Sequence, residues 1–166
     1  MLTERSHSNR CKVIGCVDDA KGNYIVMRNA TIGEYVVSRV IGKGTFGTVV
    51  NAHSNVSGAV AIKIINSREC FTKQAKTEIK ILKHINSTNT SHIVELYTSF
   101  MFHGHQCLVF ELLESNLYEL LRNTSFKRFS LNRIRNYGVQ ILKALCFLAQ
   151  SNVSHCDLKP ENIMVG

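Results

Sequence analysis

The chain has 166 residues, 45% of them apolar, which is enough for one domain with a hydrophobic core and excludes disorder of the whole chain. Lysine and arginine outnumber aspartate and glutamate 20 to 12, a formal charge of +8; such an excess suits nucleic acid, anionic membranes, acidic peptides or nucleotide phosphates. The basic residues are scattered, and their nearest approach to a cluster (Arg122, Lys127, Arg128, Arg133, Arg135) reads as a solvated face, so no nucleic-acid partner is expected.

Residues 1–34 are polar and mixed except for YIVM at 24–27, and read as an arm with one strand-like anchor. From Tyr35, YVVSRVI (35–41), a glycine cluster and TVVNAH (48–53) predict a hairpin, and AVAIKII (59–65) a further strand buried on both faces apart from one lysine. Phe71, Ala75, Glu78, Ile79, Leu82 and Ile85 recur at helical spacing, so a helix is predicted over about 68–85, with Glu78 on its apolar face. Two strands follow, 93–102 and 106–113, joined by His103-Gly104-His105. Beyond Glu114 the signals are helical: a short helix over 116–123, then one at 131–149 with Ser130 as N-cap. The order is strands with one helix, then helices, an α+β chain of two lobes in which the second is barely begun.

Six cysteines at 11, 16, 70, 107, 146 and 156 include no C-x-x-C pair, the pattern of reduced thiols in an intracellular protein, nuclear or cytoplasmic. Cys11 and Cys16 with His7 lack an evident fourth ligand, so no structural metal is expected there. No stretch of about 18 apolar residues occurs, and no membrane association is expected.

Three stretches carry chemistry. Gly42-Lys43-Gly44-Thr45-Phe46-Gly47-Thr48-Val49 is G-x-G-x-x-G-x-V, in which bare backbone brings N–H groups against phosphate oxygens. A strand follows it where a dinucleotide fingerprint requires a helix, so the loop is of the kind that covers nucleotide phosphates in protein kinases. Lys63, alone in the apolar Val60-Ala61-Ile62-Lys63, would by itself be a lysine that snorkels to water. Glu78 is a second charge on an apolar face, and because burying either alone is costly the two are expected to pair. Last, His155-Cys156-Asp157-Leu158-Lys159-Pro160-Glu161-Asn162 matches H-x-D-L-x-x-x-N, where the aspartate accepts the hydroxyl proton of a substrate and the asparagine holds a metal ion.

Asp18-Asp19, Tyr24-Ile25-Val26, FMFHGHQCLVFELL (100–113), NLYELLRNTSF (116–126) and HCDLKPEN (155–162) together resemble the dual-specificity tyrosine-regulated kinases, the DYRK family, most of all its nuclear-associated class. The resemblance covers residues 18–166 and implies a protein-kinase-like fold: an antiparallel five-stranded N-lobe with one main helix over 35–113, and a partial helical C-lobe over 114–166. A segment near 18–28 would pack on the small lobe. The resemblance also implies ATP and Mg²⁺ as cofactors and proteins as substrates, phosphorylated on Ser and Thr, with autophosphorylation on tyrosine. Gly42, Lys43, Gly44, Thr45, Phe46 and Gly47 would cover the phosphates, and Ile41, Val49 and Ala61 would roof the adenine. Lys63 would bind phosphate and pair with Glu78. Phe110 would be the gatekeeper, and Glu111 and Leu113 would offer backbone groups to the adenine edge. Asp157 would be the base, Lys159 would touch the transferring phosphate, and Asn162 would bind Mg²⁺. Cys156 stands where most kinases have an arginine that reads a phosphorylated activation loop, so activation would rest on other contacts. No D-F-G, activation loop or A-P-E occurs in the sequence, and the 166-residue chain is expected to transfer phosphate poorly or not at all. The alternative is a non-catalytic module that binds nucleotide or a partner; the presence of Lys63, Asp157 and Asn162 favours the kinase.

Overall fold

A computed structural model describes residues 18–87 and 92–165. The β-branched runs form one antiparallel sheet in the order β1-β2-β3-β4-β6-β5. Its strands are β1 (Thr31–Ile32), β2 (Tyr35–Gly44), β3 (Gly47–Ser54), β4 (Gly58–Ile65), β5 (Leu96–Phe102) and β6 (His105–Glu111). Five of them are the expected strands. The sixth, β1, pairs Thr31 with Val36 and Ile32 with Tyr35, and two residues are too few to leave a periodic signal. Residues 1–17 of the expected arm, with His7, Cys11 and Cys16, lie outside the described residues.

Side chains alternate across a strand, and here the alternation sorts two functions onto two faces. Val50, Ala52, Val60, Ile62, Ile64, Cys107 and Val109 are buried on one face, with Tyr24, Val26, Phe100 and Phe102 packed against them. YIVM is thus an anchor but not a strand: Tyr24 makes a lone bridge to Asp18. The other face receives helix α1 (Glu69–Asn86), whose Phe71, Ala75, Ile79 and Leu82 pack with Ile65, Leu96, Leu108 and Phe110. Fully burying a leucine, isoleucine or phenylalanine side chain, as at Ile65 and Leu108, stabilises by about 1.5–3 kcal/mol.

Two boundaries differ from the sequence reading for identifiable reasons. The Asn86 side chain accepts from Leu96 N and donates to the Val94 carbonyl, so β5 begins at Leu96 rather than at 93. The turn between β5 and β6 is made by His103 and Gly104, both at positive φ (46° and 84°), and His105 is instead the fully buried first residue of β6.

After β6 the chain enters β7 (Ser115–Asn116), α2 (Leu117–Asn123) and α3 (Leu131–Gln150), then a 3₁₀ turn (Pro160–Asn162) and β8 (Met164–Val165). Asn116 opens α2 with a capping box: its side chain accepts from Glu119 N at 2.8 Å, and Glu119 Oε2 accepts from Asn116 N at 3.4 Å. Ser130 caps α3, its Oγ accepting from Arg133 N. Among the described residues of α3 only Leu148 is buried, and Leu131, Ile134, Val139 and Leu142 are exposed. The ribbon β7-β8 pairs Ser115 with Val165 and Asn116 with Met164, and is extended by Glu114 N to the Val165 carbonyl and Leu117 N to the Ile163 carbonyl. It fixes the segment carrying Asp157 directly to the segment that leaves the sheet. No helix among the described residues is long and apolar enough to cross a membrane.

Candidate functional site

The glycine stretch folds as the hairpin of β2 and β3, closed by Gly44 opposite Gly47 with Thr45 and Phe46 at its tip. Its three glycines have different reasons to be there. Gly47 has φ +142° and a Cβ at this position would run into the Ile64 carbonyl oxygen, so the fold itself demands glycine. A Cβ on Gly42 would meet Val49 Cβ at an ordinary 3.6 Å, and one on Gly44 would point into open space. Packing does not explain these two; bare backbone at 42 and 44 leaves room for a group from outside the chain.

A break in register between Val40 and Gly42 leaves Ile41 out of the ladder and partly exposed. Across the sheet, Val49 lies opposite Lys63, and Ala61 opposite Phe110, all on the face that α1 covers. Lys63 Nζ donates to both carboxylate oxygens of Glu78, at 2.7 and 2.9 Å, with both side chains about two-thirds buried. Strand and helix each contribute one charge, and each charge answers the other's desolvation. Phe46 at the hairpin tip sets its ring edge-on to Phe71 of α1, centroids 5.6 Å apart. At the end of β6, Glu111 N donates to the Glu95 carbonyl and its side chain accepts from Glu95 N. The backbone of Leu113 has no hydrogen-bond partner among the described residues. Lys43, Gly44, Gly47 and Thr48 also line a groove of about 200 Å³ whose other wall is Asp19, Asn23, Tyr24, Ile25 and Val26. A larger concavity, about 510 Å³, is lined by Val26, Arg28, Val37, Ser38, Arg39 and Val40, none of them a candidate site residue.

The second group is assembled within one loop. Cys156 sits at φ +63°, left-handed backbone that an L-residue rarely adopts and that turns the chain between His155 and Asp157. Asp157 Oδ2 accepts from Asn162 Nδ2 at 2.8 Å and from Lys159 Nζ at 2.9 Å, and Asn162 Nδ2 also donates to the Asp157 carbonyl. Pro160 opens the 3₁₀ turn that delivers Asn162 to this position. The hydrogen bond from Lys159, then that from Asn162, hold the Asp157 carboxyl below the usual carboxylate range. The same contact raises the pKa of Lys159. Both Asn162 contacts use Nδ2, so Asn162 Oδ1 and Asp157 Oδ1 are oxygens without a protein partner among the described residues. No hydrogen bond or ion pair between described residues joins this loop to the Lys63–Glu78 pair.

The sequence reading passed over Asn66 and placed His105 in a turn, yet both are polar and almost wholly buried. Each bonds to the segment around Asp18–Asn23. An asparagine just after an apolar strand looks like an ordinary loop residue. Its signal is tertiary, because the partners lie more than forty positions away.

The protein kinase domain family matches residues 35–166. Over 158 residues the chain is 41% identical to the dual specificity protein kinase YAK1 of Saccharomyces cerevisiae, a match covering 89% of this chain and 20% of that protein. Over 156 residues it is 38% identical to the dual specificity tyrosine-phosphorylation-regulated kinase 3 of Macaca fascicularis, covering 91% of this chain and 28% of that one. The chain therefore spans between a fifth and somewhat over a quarter of the length of these relatives. The family match takes in β2 to β6, α1 and the Asp157 loop, and the relatives extend it over the segment that docks on the sheet. By the family match the chain belongs to the protein kinase family, and the relatives it resembles are dual-specificity kinases.

Proposed function

We propose that this chain supplies the ATP-binding and proton-accepting elements of a kinase that phosphorylates Ser and Thr of proteins and a tyrosine of its own. The observation that carries the reading is Asp157: an exposed carboxylate kept ionised by Lys159 and Asn162, in the loop that the ribbon fastens beneath the end of β6. A group so held accepts the proton of a substrate hydroxyl as the oxygen attacks phosphorus.

Each remaining residue has a role that its surroundings support. Lys63, kept in place by Glu78, presents its ammonium to the α- and β-phosphates. The backbone of Gly42 to Gly47, with Lys43, Thr45 and Phe46, closes over the phosphates. Ile41, Val49 and Ala61 cover the adenine, Phe110 shuts the back of its pocket, and Glu111 and Leu113 meet its edge through backbone groups. Lys159 follows the transferring phosphate.

The free Oδ1 atoms of Asn162 and Asp157 suit Mg²⁺, a hard cation that takes few protein oxygens and completes its shell with phosphate and water. Bound MgATP supplies the phosphoryl group together with the positive charge that offsets its oxygens. Titration calorimetry of MgATP into the 166-residue chain, against Lys63→Met, tests the assignment. At least about tenfold weaker binding by the variant is expected, and equal binding removes Lys63 from the site. A chain that binds MgATP, yet whose full-length protein labels no Ser or Thr peptide, would be a nucleotide-binding module.

A further inference from the structure

The apolar run of β4 ends in two polar residues, Asn66 and Ser67, which link the strand carrying Lys63 to the helix carrying Glu78. Asn66 is only 2% exposed, so its polar atoms need protein partners, and it has them on three separate stretches of chain. Its backbone N–H donates to the Phe46 carbonyl at the hairpin tip, 3.0 Å. Its Nδ2 donates to the Lys21 carbonyl and to Asn23 Oδ1, both at 2.8 Å. Its Oδ1 accepts from the backbone N of Arg68, the residue that caps α1.

The neighbours on either side hold the same segment. Ser67 N donates to the Gly22 carbonyl and Ser67 Oγ to Asp18 Oδ2. The ring of His105 bridges strand and segment: Nδ1 lies 2.6 Å from the Ile65 carbonyl oxygen and Nε2 2.6 Å from Asp18 Oδ1. The fit is close. Gly22 has φ +82°, and a Cβ there would lie 2.9 Å from Asn66 Oδ1 and 3.1 Å from Ser67 Oγ.

We propose that Asn66 is a positioning residue that ties the docked segment 18–24 to the tip of the glycine hairpin, so that docking sets how firmly the phosphate end of a nucleotide is held. The inference rests on the ATP reading above. The Asn66 side chain fixes the orientation of its own backbone, and that backbone is what anchors the Phe46 carbonyl. When the segment leaves, Nδ2 loses both acceptors, the backbone is freed and the hairpin tip loosens. Adenine and ribose, bound further back, are not affected.

Two substitutions in the full chain test this without touching a residue assigned to the nucleotide. Asn66→Asp keeps the acceptor for Arg68 N but turns a carboxylate oxygen toward the Lys21 carbonyl and Asn23 Oδ1. Gly22→Ala prevents docking by sterics and backbone strain. Both are expected to weaken MgATP about five- to tenfold, the range of one or two lost hydrogen bonds, while adenosine affinity stays within about twofold. Amide exchange of Asn66 and of residues 45–47, measured without ligand, is expected to accelerate in both. Should Asn66→Asp fail to fold, Asn23→Ala removes one acceptor more mildly. Equal weakening of MgATP and adenosine, or unchanged exchange in the variants, overturns the proposal. A wild-type chain that binds neither ligand sinks the ATP reading instead, and exchange then decides the coupling alone.

Discussion

Gly44 and Gly47 belong to the same motif, yet the chain needs them for different reasons, and stability measurements separate the two. Replacing Gly47 by alanine puts a side chain on left-handed backbone and against the Ile64 carbonyl; a loss of about 2–4 kcal/mol is expected in urea unfolding. Gly44→Ala, with open space around it, should stay within about 0.5 kcal/mol of wild type in the same experiment while weakening MgATP. Asp157 offers a second residue-scale test. Its pKa is lowered first by Lys159 and then by Asn162, so the folded carboxyl stays ionised to lower pH than in the unfolded chain, and what ionisation contributes is lost only as pH falls through the folded value. A carbon-detected NMR titration should find it titrating below the ordinary aspartate value, moving back toward that value in Lys159→Ala and less far in Asn162→Ala. An unshifted wild-type titration would contradict the contact.

At the scale of elements, the long strands and both long helices were legible because their periods are written over many residues. The 3.6-residue recurrence from Phe71 to Ile85 located α1, and Ser130 marked the start of α3. The elements that were not legible are the two-residue strands β1, β7 and β8, which have no period, and the first residue of β6, because His105 resembles a turn residue until its buried partners are known. The candidate site divides in the same way. Motifs name Lys63, Asp157 and Asn162 from local spacing, whereas Asn66 acquires its partners only when Lys21, Asn23 and Phe46 arrive from distant positions. Asn116 belongs to two elements at once, β7 and the cap of α2. Asn116→Ala should therefore cost at least the roughly 1 kcal/mol of an ordinary N-cap, read as a lower thermal midpoint. No shift at all would mean that α2 does not depend on its cap.

For the molecule as a whole, the sheet is a platform with one segment docked on its outer face and a loop secured below its end. The docked segment has a carboxylate that responds to acid. Burial pushes Asp18 up, but the hydrogen bonds from Ser67 and His105, together with the charge of His105, outweigh it and leave the group below its ordinary value. Stability from Asp18 is therefore complete above the unfolded-state pKa, about 3.9, and is lost as pH falls through the lower folded value. Amide exchange of Gly22 and Ser67, corrected for intrinsic rates, should show protection persisting to about pH 4 and disappearing below it, ahead of the strand interiors. The ribbon β7-β8 has a different consequence, one of timing. It closes a loop of about fifty residues, at an entropic cost of roughly 3–4 kcal/mol, with few hydrogen bonds to set against it. Such a closure forms after the sheet has condensed and is among the first to reopen, so the amides of Glu114 and Leu117 should exchange through an opening that leaves β3 and β4 intact. The loop that holds Asp157, Lys159 and Asn162 would then be the last part of the fold to assemble, and a population of molecules with a native sheet could still lack that arrangement.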